Sequence, residues 1–358
     1  MKNSKIFTSF ILVIFLIILS SCSFPFLANI NLPAVETATT ATADTSTLSQ
    51  EYQPLTVTFL DVGQADCTLL QCGEEAMLID GGNPDDAQKI YSVLKKHEIT
   101  QLKAIIITHA HEDHYGSIAA ALTAAPAETV YAPVEHDNSE GFNDITERTD
   151  ITIPEIGTTF SLGSANVEFL APVKQYDDDN NTSIVCKVTN GEDTFLFTGD
   201  MERDAELDLI DTSVNLTADV LKVGHHGSNS STSYVFLREV MPKYAVISCG
   251  KNNSYGHPHQ EVVSRLKDAE ATIYRTDQIG DIIAISSGNG IEFNVQEQEA
   301  SSNVTEQTAP LQYIGNKNSK VFHRSSCSSL PKEKNRIYFD SRQEAIEASF
   351  KPCGNCQP

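Results

Sequence analysis

The stretch LKAIIITHAHEDHYGS, residues 102–117, restricts what this chain can fold into more than any other. Ala104 to Ile107 reads as a buried strand, and where it stops three histidines and two acids fall within six positions. His109 and His111 are two apart at a strand end, so their side chains can leave the same face. Asp113 and His114 follow in the turn and can look at the second side of the same cavity. The alternative is a solvated loop with stray histidines. H-x-H-x-D-H arises by chance in a chain this long on the order of once in ten thousand sequences, which weighs against it. Two more apolar runs end in candidate ligands: FLFTGD in Asp200, and VLKVGHH in His225 and His226. An Asp in TGD also serves as a turn residue. Imidazole and carboxylate without thiolate suit Zn or Mn.

The pattern around these motifs is strand-rich and then alternating. LTVTFLDVG, CTLLQCG and EAMLIDGG are short apolar runs separated by turn residues, the last ending in Asp80-Gly81-Gly82. DDAQKIYSVLKKHEI has Ile90, Val93 and Leu94 at helical spacing, and GSIAAALTAA begins a helix directly after the histidine run. The second half repeats this alternation. Strands VEFLAP, TSIVCKVT and TFLFTGD precede the helix MERDAELDLI, and the strands DVLKVGHHGS and YAVISCG precede the helix QEVVSRLKDA. The strands TIYRTD and DIIAISS follow. Two such halves predict an α/β fold of the αββα type, two sheets covered by helices on both outer faces. The expected divisions are a signal over 1–22, a flexible tether over 23–53, a hydrolase domain over 54–295, a polar linker over 296–312 and a compact module over 313–358.

The first residues predict export. Lys2 and Lys5 precede FILVIFLIIL, which runs into LSSC at Leu19 to Cys22. This resembles a bacterial lipoprotein signal, with Cys22 as the lipidated first residue of the mature protein on the outer face of the membrane. An uncleaved membrane anchor, giving the same topology, is the rival. The stretch ETATTATADTSTLSQ lacks the bulky apolar residues a core needs. Of the eight cysteines, Cys67, Cys186 and Cys249 lie in strand-like runs and Cys72 just after one, which makes them core thiols, with a Cys67–Cys72 bridge as the alternative. The net charge of −23 is unevenly placed: residues 54–310 hold 15 Lys and Arg against 41 Asp and Glu, whereas residues 311–358 hold 8 against 4. Repulsion of a polyanion by the acidic body is screened beyond about 8–10 Å, so a metal site and a basic module can still act locally.

In order along the chain, Asp80, the H-x-H-x-D-H run, Asp200 and the His225/His226 strand end resemble the motifs of the metallo-β-lactamase fold. More narrowly, FLDVGQADCTLL, LIDGG, THAHEDHYGS, DNNTSIVCKV, FLFTGDM, DVLKVGHHGSNSST, ISCGKNNSYGHPH and YRTDQIGDI resemble the exported hydrolase domain of ComEC-type DNA-uptake proteins. The membrane-spanning channel of that family has no counterpart here, so the expectation is a free-standing relative on a lipid tether. The resemblance implies two divalent ions, Zn or Mn. His109 and His111 would bind one; Asp113, His114 and one of His225 and His226 would bind the other. Asp200 would bridge the two ions, and Asp80 would orient the ligands from behind. Lactonase-like members place a histidine some twenty residues before the bridging Asp, where this chain reads Asp179-Asn180-Asn181-Thr182-Ser183. The ComEC-like group shares that departure, which argues against a generic lactonase or β-lactamase. A water shared by two cations becomes hydroxide near neutral pH, and the cations stabilise charge on a phosphate in an in-line displacement. Asp80, Asp113, Asp200 and His257 are the candidate catalytic residues. Gly224 to Ser228 offer backbone N–H groups to a phosphate. Tyr255 or His257 would contact substrate or protonate a leaving oxygen, and Asn181, Ser228 and His259 complete the candidate substrate contacts. For His257 and His259 the alternative is plain helix-start packing.

The C-terminal module pairs His323-x3-Cys327 with Cys353-x2-Cys356 across a helix-forming stretch, which is structural-zinc spacing. A disulfide between two of these cysteines is the alternative. The stretch, including SRQEAIEASFKPCGNC, resembles the zinc-binding domain of Ada-type DNA-repair methyltransferases. In that family the first ligand is a cysteine that accepts methyl groups; with His323 in its place a closed structural zinc site remains. The resulting expectation is an exported, membrane-tethered, metal-dependent phosphodiesterase. Its substrate is expected to be extracellular DNA, for uptake or scavenging, with DNA-uptake machinery as a partner. Two alternatives stand beside it: a hydrolase of small phosphodiesters or lactones, and a non-catalytic surface protein that binds DNA. The second alternative loses ground because every expected catalytic metal position except the missing histidine is filled.

Overall fold

The computed structural model describes residues 52–294, 313–324, 327, 329–339, 342–354 and 356. The expected signal with Cys22, nearly all of the tether and the linker 296–312 lie outside the described residues. No helix among the described residues is long and apolar enough to cross a membrane.

Two mixed sheets face each other. The first half contributes β1 (Leu55–Phe59), β2 (Thr68–Cys72), β3 (Glu75–Ile79), β4 (Ala104–Ile106), β5 (Val130–Tyr131) and β6 (Ile151–Thr152). The second sheet is built from β7 (Thr159–Leu162), β8 (Ala165–Ala171), β9 (Val185–Asn190), β10 (Asp193–Phe197), β11 (Val220–Lys222), β12 (Tyr244–Ile247) and β13 (Thr272–Arg275). The chain then returns to the first sheet with β14 (Ile282–Ser286) and β15 (Ile291–Asn294). Strand orders are β15-β14-β1-β2-β3-β4-β5-β6 and β13-β12-β11-β10-β9-β8-β7.

The burial pattern explains the layering. Alternate residues of β1, β2, β9 and β10 (Val57, Phe59, Leu70, Cys186, Phe195 and Phe197 among them) meet between the sheets. Their neighbours point outward and are covered by helices. α1 (Ala87–Lys96), α2 (Glu112–Tyr115), α3 (Ile118–Ala124) and α4 (Glu140–Thr146) belong to the first sheet's side. There Ile90, Leu94, Ile118 and Phe142 pack on Leu69, Leu78 and Ile105. On the other side lie α5 (Arg203–Asp211), α6 (Tyr234–Val240) and α7 (Gln260–Asp268), with the short α8 (Thr276–Ile279) after β13. Leu209, Phe236 and Leu266 pack there on Leu196, Leu221 and Ala245. Three apolar layers between four structural ones make the αββα sandwich that the sequence pattern predicts. The described cysteines are all free. Cys67 and Cys72, five residues apart, sit in the outer and the inner core respectively, on opposite faces of one strand, and form no bridge.

Parallel pairing positions the site. β3 pairs parallel with β4, and β10 with β11 and β11 with β12, so these strands end on one edge of the sandwich. Asp80, Thr108 to His114, Asp200 and His225/His226 follow directly from four of those ends, where open α/β sheets collect functional groups.

A smaller sheet of order β18-β16-β17-β19 forms the C-terminal module: β16 (Tyr313–Asn316), β17 (Val321–Arg324), β18 (Arg336–Phe339) and β19 (Lys351–Pro352), with α9 (Arg342–Glu347). Its core is Tyr313, Phe322, Phe339, Ala345 and Phe350.

Candidate metal centre

Asp80 follows β3 with a left-handed backbone (φ 60°) and is buried. Its Oδ1 accepts the Thr108 N–H at 2.8 Å and its Oδ2 the Thr108 hydroxyl at 2.9 Å. His114 Nδ1 lies 2.9 Å from the same Oδ2. With carboxylate oxygen at Nδ1, the His114 proton sits there, and Nε2 faces Asp200 Oδ1 at 3.4 Å. Among the described residues His114 Nε2 and Asp200 Oδ1 are buried atoms without a hydrogen-bond partner. A buried carboxylate oxygen and an imidazole lone pair turned toward each other are what a cation satisfies.

The other groups converge on the same carboxylate. His226 Nε2 is 3.2 Å from Asp113 Oδ2 and 3.6 Å from Asp200 Oδ2. One ligand atom each from Asp113, His114, Asp200 and His226 falls within a sphere where all lie within 4.8 Å of one another. On the other flank His109 Nε2 is 2.8 Å from His111 Nδ1 and 4.0 Å from Asp200 Oδ2. His225 Nε2 is 3.7 Å from Asp200 Oδ2. Burial pushes the His226 ring down in pKa, but the Asp200 and Asp66 carboxylates outweigh it and hold it up at about 10. Burial and the neighbouring His114 hold His109 well below its ordinary value. The cavity thus favours positive charge beside Asp200 and a neutral, ligating imidazole at His109.

The structure refines several local expectations. Asp113 and His114 stand in the one-turn helix α2 rather than in an open turn. His225 and His226 stand in a tight turn past β11, both left-handed (φ 49° and 52°), rather than on the strand itself. Of the N–H groups expected to cradle a phosphate, three are engaged inside the protein: Gly224 N with Thr232 Oγ1, His225 N with Gly199 O and Ser228 N with His225 O. Ser228 is buried and shares its hydroxyl with Ser230. Asn181 is buried too; its amide oxygen accepts the Glu202 N–H and its amide nitrogen donates to Asp178, so it braces a loop. His259 caps the start of α7, with Nδ1 accepting the Asn229 N–H at 3.0 Å. His257 and Tyr255 do line the cavity of about 330 Å³ above Asp200, together with Gln64, His111, Glu112, Asn180 and His225. Tyr255 is 67% exposed and stacks against His257, ring centroids 5.6 Å apart.

Two residues behind the site were not singled out from the sequence. Asp66 Oδ2 pairs with Lys222 Nζ at 2.7 Å, both buried, and Asp66 Oδ1 lies 3.2 Å from His226 Nδ1 without hydrogen-bond geometry. That nitrogen faces Ser248 O at 3.1 Å and donates there, so His226 presents Nε2 to the cavity. A lysine in the otherwise apolar run DVLKV was the available signal, since a buried lysine requires a buried acid.

In the C-terminal module His323, Cys327, Cys353 and Cys356 bring one ligand atom each within 4.8 Å of the others. Burial, then the neighbouring Cys327 and Cys353 thiols, push Cys356 up to about 12. Clustered thiols that resist ionisation together with an imidazole fit a tetrahedral Zn²⁺, which turns them into thiolate ligands.

Residues 60–251 match the family described as Metallo-beta-lactamase superfamily. The chain belongs to the metallo-beta-lactamase superfamily. Residues 300–358 of this superfamily member match the metal binding domain of Ada. Among curated proteins it is 34% identical over 214 residues to ComE operon protein 3 of Bacillus subtilis, covering 58% of this chain and 28% of that one. It is 33% identical over 227 residues to Competence protein ComA of Neisseria gonorrhoeae, covering 63% and 31%. The chain therefore spans less than a third of either relative's length. Among solved structures, the metallo-beta-lactamase fold protein YhfI of Bacillus subtilis superposes with a TM-score of 0.46 at 16% identity, over 65% of this chain and 100% of that one. This superfamily member is thus a metal-dependent hydrolase related to competence proteins, with an Asp/His site for divalent metal and a His/Cys zinc site in its Ada-like module.

Proposed function

We propose that this hydrolase is an exported, membrane-tethered phosphodiesterase that cleaves DNA outside the cell, with two divalent ions held about Asp200. The carrying observation is the gathering of ligands about that one carboxylate: Asp113, His114 and His226 form one group with it, and His109 approaches it from the other flank with His111 against its ring. The lipoprotein-like leader, the domain divisions and the likeness to competence proteins support the setting; the basic module supports nucleic acid as substrate.

Divalent ions bound there would activate a water and neutralise charge on a phosphate. The chain's own groups supply the rest. Asp80 and Ser248 fix the ring protons of His114 and His226 on Nδ1, so both present Nε2 to the cavity. Burial and the facing His225 and His226 push His257 down to about 4, which makes it neutral at pH 7. Gln64 Nε2 donates to its Nδ1 at 3.2 Å, which places the ring N–H on Nε2, where the neutral imidazole would donate a hydrogen bond to a leaving oxygen. The cavity, at the small end of the ~300–1,000 Å³ typical of ligand sites, accepts a phosphodiester group with its flanking bases outside. Tyr255 offers such a base an exposed ring.

The test is incubation of the full-length chain, in mild detergent, with linear and circular DNA, single- and double-stranded, in Mn²⁺, Zn²⁺ or EDTA. An Asp113→Ala/His114→Ala variant serves as control. Metal-dependent cleavage lost in the control is the expected result. DNA binding without cleavage under any metal would instead support a surface binding protein, and neither activity would support a small phosphodiester as substrate.

A further inference from the structure

On the flank of Asp200 where His109 and His111 meet, the loop facing His111 reads Asp179-Asn180-Asn181 and carries no imidazole. We propose that His225 takes over as a ligand of the ion on the His109/His111 flank, held there by Glu202, and that the Asn180-Asn181 pair serves to hold Glu202. The proposal rests on the two-ion reading of the site and says which residue completes its weaker half.

The geometry runs in one direction. Asn181 Oδ1 accepts the backbone N–H of Glu202 at 3.2 Å, and Asn180 Nδ2 donates to Glu202 Oε1 at 3.5 Å. The same Oε1 lies 3.1 Å from His225 Nδ1. A carboxylate at Nδ1 puts the ring proton there and leaves the Nε2 lone pair free, the arrangement in which histidines ligate metals. That Nε2 is 3.7 Å from Asp200 Oδ2, on which His109 Nε2 also converges at 4.0 Å. His226 cannot serve this flank, because its Nε2 is engaged at 3.2 Å with Asp113. The adjacent rings diverge, with centroids 6.2 Å apart and planes at 69°, and the backbone is left-handed at both. Left-handed conformations at two successive non-glycine residues are strained, and such strain clusters at functional sites. Here it brings two neighbouring imidazoles to one carboxylate oxygen, Asp200 Oδ2, with diverging rings: His225 Nε2 at 3.7 Å and His226 Nε2 at 3.6 Å. Asp179 is the competing candidate by position, but its carboxylate is 64% exposed and faces His111 Nε2 at 3.8 Å, on the ring edge away from His109.

Mn²⁺ alone is the probe, added to the full-length chain whose zinc module has been loaded with Zn²⁺. Titration followed by electron paramagnetic resonance counts bound Mn²⁺ and distinguishes a spin-coupled pair from a single ion. Wild type is expected to take up two ions and show the coupled signal. His225→Ala is expected to keep one ion and lose the coupling. Glu202→Gln, which keeps size and packing, is expected to weaken the second ion by about 10–100-fold, the usual effect of removing a ligand's carboxylate support. Asp179→Ala is expected to keep both ions. Coupled two-ion binding at wild-type affinity in His225→Ala, with circular dichroism showing all variants folded, overturns the assignment, as does loss of the pair in Asp179→Ala alone. A single ion in wild type overturns the two-ion reading itself.

Discussion

The histidines of the metal centre were legible because their residue types leave few alternatives: an imidazole at the end of a buried strand must meet a partner. What was not legible was direction. Asn181, Ser228 and His259 carry groups suited to binding, yet each is turned to a protein partner, and only coordinates show which way a short polar side chain points. The buried Asp66–Lys222 pair makes the same point from the other side. Burial lifts the Asp66 carboxyl, but Lys222 and His226 outweigh it and hold it below its ordinary value. Replacing Lys222 by Met leaves the buried Asp66 charge with the His226 ring alone beside it, and the expected cost is ~3–5 kcal/mol of stability, read from urea unfolding. Adding Asp66→Asn should restore more than half of that, since the loss comes from the unpaired charge. A full-cost double variant would show that Lys222 acts through packing alone. Because the folded-state pKa of Asp66 is depressed, its contribution is present above about pH 4 and fades as pH falls below it.

Elements with clear apolar runs are readable from sequence, while those of one turn or two residues are not. β5 and β6 are two residues each, too short to show alternation, and α2 is a single turn. The turns that aim the ligands depend on backbone conformation, which glycine signals but does not specify. Gly199, immediately before Asp200, is left-handed (φ 50°), and a Cβ there would come within 2.7 Å of Thr108 Cβ and 2.9 Å of Ser183 Oγ. Thr108 holds Asp80, and Ser183 accepts the Asp200 N–H at 3.0 Å. Gly199→Ala therefore pushes on Thr108, which holds Asp80, and on Ser183, which holds Asp200. Its expected cost is about 1–3 kcal/mol of stability together with weakened Mn²⁺ binding. Unchanged stability and Mn²⁺ affinity would mean that the turn relaxes without moving Asp200. In the zinc module the corresponding lever is pH. Zn²⁺ binds thiolates, so protons compete with it, and a Cys356 thiol pushed up to about 12 makes that competition steep. Acidification should release zinc from the module to a chromogenic chelator, and Cys356→Ser should move release to higher pH. Zinc retained equally by wild type and variant would remove Cys356 from the ligand set.

Among the described residues, one carboxylate of the hydrolase gathers three groups where the zinc module meets it. Asp268, at the end of α7, accepts from the Tyr234 hydroxyl at 2.6 Å, from Arg324 Nη2 at 2.6 Å and from the Tyr313 hydroxyl at 3.3 Å. Arg324 also lies over the Tyr234 ring, 4.9 Å from its centroid. Arg324 directly follows His323 on β17, so the residue after a zinc ligand reaches the hydrolase helices, as Tyr313 on β16 does. Nothing in the composition of either segment foretold this, because the two halves of the contact are 56 residues apart. The basic module on an acidic body is legible as a charge division, whereas the buried ion pair that joins them is not. Asp268→Ala removes the acceptor shared by all three groups and takes one partner of a nearly buried guanidinium, at an expected cost of about 2–4 kcal/mol to the contact. Tyr313 apart, the core of the module lies away from that contact, and the zinc ligands are untouched. Hydrogen exchange should therefore speed up at β16, β17 and the C-terminal end of α7, while the strands around Asp200 and the zinc content stay at wild-type values. Faster exchange throughout the sandwich would instead make Asp268 part of the stability of the hydrolase itself, and unchanged exchange at β17 would show that other contacts hold the module in place.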